Sequence, residues 1–342
     1  MNTKKYTGLA IALAWPDTYC KQAGAWYDAF LNALGIAHNN FYKVGHAAVL
    51  LINKKTRECR YFDFGRYHTP YQKGRVRSME TDNELIINTK VVLSENNSKI
   101  KNYEEILTEL QSSDVFHGSG DIFASYTPIN FDKSYNKALA LQKQSPMAYG
   151  PFVPKGSNCS RFVNSVIRAG KPKLLHALKL YLFCPLTPTP KTNVLALSFQ
   201  TRKTKQFKEI KFSPPKLNHK HLKSTLAAPQ KHPSIPKDAI WHGGEGAGSW
   251  FLLAAENHLF KVCRYSVNGD LECKGYFKAD KNATNILSEN YTIDYLSNCK
   301  EINLKTKSGT IRLSKVSDKP LSARVQNAPR VKHLTGSNRL LL

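Results

Sequence analysis

A thiol and an imidazole are the residues of this chain best placed to do chemistry. Cys159 sits in Asn158-Cys159-Ser160-Arg161-Phe162-Val163, shortly after Tyr149-Gly150, and His46 opens the apolar run Gly45-His46-Ala47-Ala48-Val49-Leu50-Leu51-Ile52 far upstream. A cysteine attacks as its thiolate, and a helix N-terminus together with a nearby imidazolium lowers its pKa from roughly 8.5 toward 3.5–7.5. Cys159 falls in the first turn of an expected helix, capped by Ser157 or Asn158, whose Phe162, Val163, Val166 and Ile167 share one apolar face before Gly170 and Pro172 end it. The pair therefore reads as the nucleophile and proton shuttle of a cysteine hydrolase, with N–H groups of the same helical turn facing the oxyanion.

A third polar group ordinarily orients the imidazole and sets its tautomer. Residues 46–52 and 59–64 are extended runs joined by the polar stretch 53–58, a hairpin by composition. A turn at residues 55 and 56 brings position 46 opposite 63–65, which makes Asp63 the first choice. His68, just past the hairpin, is the runner-up, and His117 in Phe116-His117-Gly118-Ser119-Gly120 is a third candidate. Arg66, Arg75 and Arg77 follow in a Gly-containing loop, where guanidinium groups are suited to a substrate carboxylate or phosphate or to a structural cluster.

The elements that position these residues read as α+β. Residues 6–14 suit a central strand, the stretch after Asp17 suits a helix burying Trp26, Phe30, Leu31 and Leu34 before Gly35, and Leu85–Leu93 suits a further strand. Asn102 with Glu105 announces one helix and Asp132 another. From 185 to 238 the chain is Pro- and Lys-rich with little periodicity, a linker or loose wrap. Short β runs resume at 249–255, 258–266, 270–278, 290–296 and 301–315, with Asn268-Gly269 as a two-residue hairpin signal. The organisation expected is a hydrolase domain over 1–184, a basic linker over 185–238, a small antiparallel β domain over 239–318 and a flexible basic tail over 319–342.

With 342 residues the chain is long enough for two cores. Its fifty Lys and Arg against twenty-five Asp and Glu give a formal charge of +25, much of it in the linker and tail, which suits an acidic partner or nucleic acid. No zinc spacing, RNP-like aromatic pair or recognition helix supports the nucleic-acid reading, and Gly243-Gly244-Glu245-Gly246-Ala247-Gly248 lacks the Gly-Lys-Ser/Thr ending of a phosphate loop. No metal or organic cofactor is expected. The seven cysteines form no CxxC pair and are odd in number, so a reduced, cytoplasmic setting is expected, with Cys20, Cys59, Cys184, Cys263, Cys273 and Cys299 as packing residues. Lys4-Lys5 before Gly8–Ala14 imitates a very short signal peptide but reads better as a buried strand, and no run approaches the roughly 20 apolar residues of a transmembrane helix.

The segment Tyr149-Gly150…Asn158-Cys159-Ser160-Arg161-Phe162 resembles the nucleophile segment of the NlpC/P60 papain-like superfamily, with Asn158 in place of the usual Asp and Arg161 in place of the Gly. The order, with His46 before Cys159, is similar to that of the circularly permuted branch containing lecithin:retinol acyltransferase-like and lipid-associated hydrolase-like members. Trp15-Pro16-Asp17, Val44–Ala48, Tyr61–Tyr67 and Gly74–Ser78 also resemble a bacterial family of this permuted group over roughly residues 6–175. The resemblance implies a papain-like fold for the first domain, a place for Tyr149 and Asn158 in binding the oxyanion or positioning the substrate, and cleavage or transfer of an amide, ester or thioester acyl group. The rival readings are a silent binding module of the same fold and a basic nucleic-acid-associated protein.

Overall fold

Gly8–Trp15 is apolar at nearly every position, which suits a strand buried on both faces, and all eight residues are buried. It pairs antiparallel with His46–Asn53, Gly8 opposite Asn53 and Trp15 opposite His46. In this computed structural model, which describes residues 5–319 except 36, 117, 183–187, 199–201, 204–222, 257, 282–286 and 288–289, these two strands lie inside a mixed-length sheet. Its order is Phe123–Ile129, Gly8–Trp15, His46–Asn53, Cys59–Gly65, Lys73–Arg77, with the two-residue strands Arg202–Lys203 and Met147–Ala148 at its edges.

Alternation along the strands sends Ala47, Val49, Leu51, Phe62 and Phe64 to one face, where the helices Phe131–Lys143, Cys159–Ala169 and Pro190–Leu197 cover them. Leu9, Ile11, Leu13, Leu50 and Ile52 point to the other, packed by the helix Tyr103–Ser112 through Ile106, Leu107 and Leu110. Each Leu, Val or Ile fully buried this way contributes about 1.5–3 kcal/mol, so the two apolar layers hold the strand ends where the polar residues sit.

Three local expectations give way. The helix after Asp17 is only Asp28–Ala33, and Trp26, Phe30 and Leu34 face solvent. Residues 85–93 form no strand; Asn83–Leu85 is a 3-10 turn and Leu93 makes a single bridge to Ile100, because Leu85, Val91 and Leu93 serve as side-chain anchors beneath the sheet. The stretch expected as linker contains the helix Pro190–Leu197, started by Pro190 at its first turn and by Thr189, whose hydroxyl accepts from Thr192 N–H at 3.2 Å. Val194, Ala196 and Leu197 belong to the first domain's core, so the first domain extends past residue 184. The tail beyond 319 lies outside the described residues.

The second domain is a seven-stranded antiparallel sheet in the order Ile240–Gly243, Gly248–Glu256, Leu259–Tyr265, Leu271–Ala279, Gly309–Ser317, Glu301–Thr306, Thr292–Asp294. The run expected at 301–315 is a hairpin, turned at Lys307-Ser308 with Gly309 opening the second strand at φ +130°. Tyr295 Oη donates to Gly243 O at 2.7 Å, tying the two ends of the sheet together around Phe251, Val262, Phe277, Ile302 and Leu304. Cys273 and Cys299 form a disulfide across it (Cα–Cα 6.1 Å), which corrects their reading as packing residues and departs from the reduced setting that the odd cysteine count favours. Cys20, Cys59, Cys159 and Cys263 are free, and Cys184 lies outside the described residues.

A buried polar network joins the domains. Arg264 pairs with Glu272 on its own sheet and with Asp82 (3.1 Å) and Glu84 (2.5 Å) of the first domain, while Arg75 makes a two-pronged bond to Asp82 at 2.6 and 2.7 Å. Such a cluster is tolerated in the interior only because each charge meets a fixed counter-charge.

Candidate active site

His46 stands at the first position of its strand because Gly45 takes φ +79°, a left-handed turn, and because a Cβ there would meet Trp15 O at 2.9 Å and Pro16 Cα at 3.0 Å. The imidazole is buried and stacks on Trp15 with ring centroids 5.8 Å apart. Its Nε2 is 3.3 Å from Asp63 Oδ2. The hairpin register pairs Ala48 with Asp63, so position 46 is opposite 65 and the contact is the diagonal one on the same face.

Cys159 is the first residue of its helix. Asn158, extended at φ −132° and ψ 175°, caps it by accepting Arg161 N–H at 2.8 Å, and the first intrahelical bond runs from Phe162 N–H to Asn158 O. The amides of Cys159 and Ser160 precede that bond, so they are the helix-start donors left to face an oxyanion. The buried thiol interacts with the His46 side chain and the Ala47 amide, and Ser160 Oγ lies 3.8 Å away.

The electrostatics point one way. Burial works against charge on all three groups, yet their mutual contacts outweigh it: hydrogen bonds to Asp63 and Cys159 raise His46 to about 9, and His46 pulls the Cys159 thiol below its ordinary value. Both shifts favour the charged forms, a thiolate beside an imidazolium. Asp63 is fully buried and held far below the ordinary carboxylate range, by Arg77 first and His46 next. Arg77 bonds both its oxygens, at 3.0 and 2.6 Å, and Tyr61 and Tyr67 donate their hydroxyls to Oδ2 at 3.1 and 2.8 Å.

The other expected site residues separate into two groups. Tyr149 lines the cavity over Cys159, its ring 5.6 Å from that of Phe64; burial and the nearby Cys159 charge push its hydroxyl well upward, which leaves it a proton donor. Arg66 also lines the cavity, but it is committed to Glu245, Lys21 O and Cys20 Sγ. Arg75 and Arg77 are buried against Asp82 and Asp63, which fits the structural cluster of the two readings and not the substrate clamp: their fixed carboxylate partners occupy the guanidinium edges a substrate would need. His68 is turned toward the β domain. Its Nδ1 faces Arg75 at 3.4 Å and its Nε2 faces Ser249 Oγ at 2.8 Å, whose hydroxyl donates to Glu272 at 2.8 Å; burial, Arg264 and Arg75 keep it neutral. His117 lies outside the described residues.

A cavity of about 500 Å3 opens over the thiol, and half of its wall comes from residues that spacing and composition did not single out. Cys20, corrected from a packing residue, and Lys21 form one side, Ser224–Ala227 pass over it, and Glu245 and Gly246 enter from the β domain. Gly246 N–H donates to Arg66 O at 2.7 Å, and a Cβ at Gly244 would lie 2.4 Å from Tyr67 O. The signal for this wall was the lone Glu245 among closely spaced glycines, a sequence that permits close backbone approach. Among the described residues no group of three or more His, Cys, Asp or Glu is arranged to hold a metal ion, and no helix is long and apolar enough to cross a membrane.

Residues 10–174 match the family model described as type VI secretion system effector TseH-like, and residues 239–316 match that of the DUF6695 C-terminal domain. Among solved structures, the crystal structure of the type VI secretion system effector TseH is similar to this chain at 16% identity and a TM-score of 0.39, over 57% of this chain and 90% of that one. No curated protein matches the chain.

Proposed function

We propose that the chain is a papain-like thiol hydrolase or acyltransferase, permuted in order, with Cys159 as nucleophile, His46 as proton shuttle and Asp63 as the group that orients His46. The observation that carries this reading is the linked set of Cys159, His46 and Asp63, buried at a helix start and opening on a cavity of about 500 Å3. The match of residues 10–174 to a type VI secretion system effector family is consistent with this reading.

Cys159 Sγ attacks the carbonyl carbon of an amide, ester or thioester, and the carbonyl electron pair moves to oxygen, facing the Cys159 and Ser160 amides. Collapse of this intermediate breaks the bond to the leaving amine, alkoxide or thiolate, which takes the proton from His46. Water then gives a proton to His46 and attacks the acyl-thioester, releasing a carboxylate and the thiolate; in a transferase an acceptor nucleophile takes the place of water. Tyr149 donates its hydroxyl beside this centre. The chemistry asks for no metal or organic cofactor. The Cys273–Cys299 disulfide and the effector description favour work outside a reducing cytosol over the cytoplasmic expectation.

The test is alkylation of the full chain by iodoacetamide at mildly acidic pH, mapped residue by residue. Cys159 is expected to react first and Cys159→Ser to abolish turnover of a panel of amide, ester and thioester substrates. A Cys159 that reacts no faster than Cys20 or Cys263 would sink the proposal.

A further inference from the structure

The helix Leu174–Leu182 carries its apolar residues on the wrong side for a globular protein. Its inward positions are Leu180, fully buried, and His176, whose Nδ1 lies 2.7 Å from Thr127 Oγ1. At 100° per residue, Leu174, Leu175, Leu178, Tyr181 and Leu182 fall within an arc of about 120°, and they are between 47% and 75% exposed. Single exposed leucines are ordinary in soluble proteins, whereas five large apolar side chains on one arc of one helix mark a contact surface.

Charge identifies the occupant. From Lys133 to Lys208 the sequence contains fourteen Lys or Arg and no Asp or Glu. Arg168, Lys171 and Lys173 lead directly into the helix, and the Arg168 guanidinium sits 4.9 Å over the Tyr181 ring. The acid-free stretch is complementary to an anionic surface, and a second copy docked symmetrically would set the same basic residues against themselves. Nine residues are too few to cross a bilayer, while an apolar arc flanked by cations is the pattern of a helix lying in the headgroup region.

We infer that Leu174–Leu182 is an interfacial anchor that seats the protein on an anionic lipid surface, its leucines in the acyl boundary and Arg168, Lys171 and Lys173 among the headgroups. The helix is rigidly tied to the proposed nucleophile helix. Asn164 Nδ2 donates to Leu180 O at 2.9 Å and to Asn193 Oδ1 at 3.2 Å, and Asn193 Nδ2 donates to Ser160 O at 2.8 Å. This inference stands independently of the chemistry at Cys159.

The test is flotation of the full chain with phosphatidylcholine vesicles prepared with and without phosphatidylglycerol. The wild type is expected to float with the anionic vesicles, and the triple variant Leu174→Ser, Leu178→Ser, Leu182→Ser to bind at least about tenfold more weakly with its net charge unchanged. Equal binding by the variant would assign the affinity to the basic linker and tail and overturn the inference, as would no flotation of the wild type or a dimer that the triple variant dissociates. Tyr181→Trp, a surface change that leaves the core alone, gives a second readout: its added emission is expected to be quenched by brominated lipid in anionic vesicles, and an unquenched signal would equally overturn the anchor.

Discussion

Arg77 and Asp63 face each other directly across two antiparallel strands, and the guanidinium closes on both carboxylate oxygens, Nε to Oδ1 at 3.0 Å and Nη2 to Oδ2 at 2.6 Å. With Tyr61 and Tyr67 on the same carboxylate, Asp63 has one orientation and one charge state, and the edge it offers His46 is fixed. The Arg77 guanidinium also lies 3.7 Å over the Tyr67 ring, so the support of Asp63 is itself supported.

Breaking this pair leaves a buried carboxylate without its main counter-charge. Arg77→Ala is expected to cost about 3–5 kcal/mol in stability, measured as a lowered denaturation midpoint. Asp63→Asn keeps the shape and removes the charge; it is expected to lower kcat by roughly 10²-fold or more with little change in KM. A kcat within twofold of wild type would remove Asp63 from the proposed mechanism.

The pH dependence follows from the signs of the shifts. Because the Cys159 thiol lies below its ordinary value and His46 at about 9, activity is expected to rise on the acid side as the thiolate forms and to fall as pH passes about 9. Cys59, pushed up to about 12 mainly by burial, supplies an internal control that stays unlabelled across the range. In stability, the raised His46 pKa contributes fully below the unfolded value of 6.5 and is lost as pH rises through about 9. The depressed Asp63 pKa contributes above the unfolded value of 3.8 and is lost on acidification below it. Denaturation midpoints in the His46→Ala variant that still fall across pH 7–9 as in wild type would contradict this assignment.

The domain interface offers a third check. Arg264→Leu removes the Arg264 counter-charge from Glu84 and Glu272 and leaves Asp82 to Arg75 alone, and about 3–5 kcal/mol of stability is expected to go with it. Proteolysis within residues 223–238 is expected to accelerate in this variant, and unchanged cleavage would show that the network contributes little to docking.

The disulfide closes a segment of 26 residues, for which the chain-entropy relation gives about 3.5 kcal/mol. Reduction is therefore expected to lower the β domain's unfolding midpoint while leaving iodoacetamide labelling of Cys159 intact. The double variant Cys273→Ala, Cys299→Ala with unaltered stability would argue against the link.

How much of this was legible beforehand depends on the range of the interaction. Cys159, its Asn158 cap and its helical face are local, carried by residues three and four apart. His46 and Asp63 were readable together because a short hairpin converts sequence distance into register. The Cys273–Cys299 link, the docking role of His68 and the cavity wall at Glu245 depend on how two sheets meet, and no periodicity within either domain encodes that. The arginines show the limit most plainly. Their number signalled a charged cluster, but whether Asp63, Asp82 and Glu245 or a ligand would fill them was decided only by packing.

Glu245 reaches the cavity from a domain whose own core owes nothing to the Cys159 sheet. The chemistry and the shape of the chamber around it are thus written in different halves of the chain. Changes confined to the C-terminal domain can therefore alter which molecules fit the cavity while Cys159, His46 and Asp63, the proposed reacting groups, stay untouched.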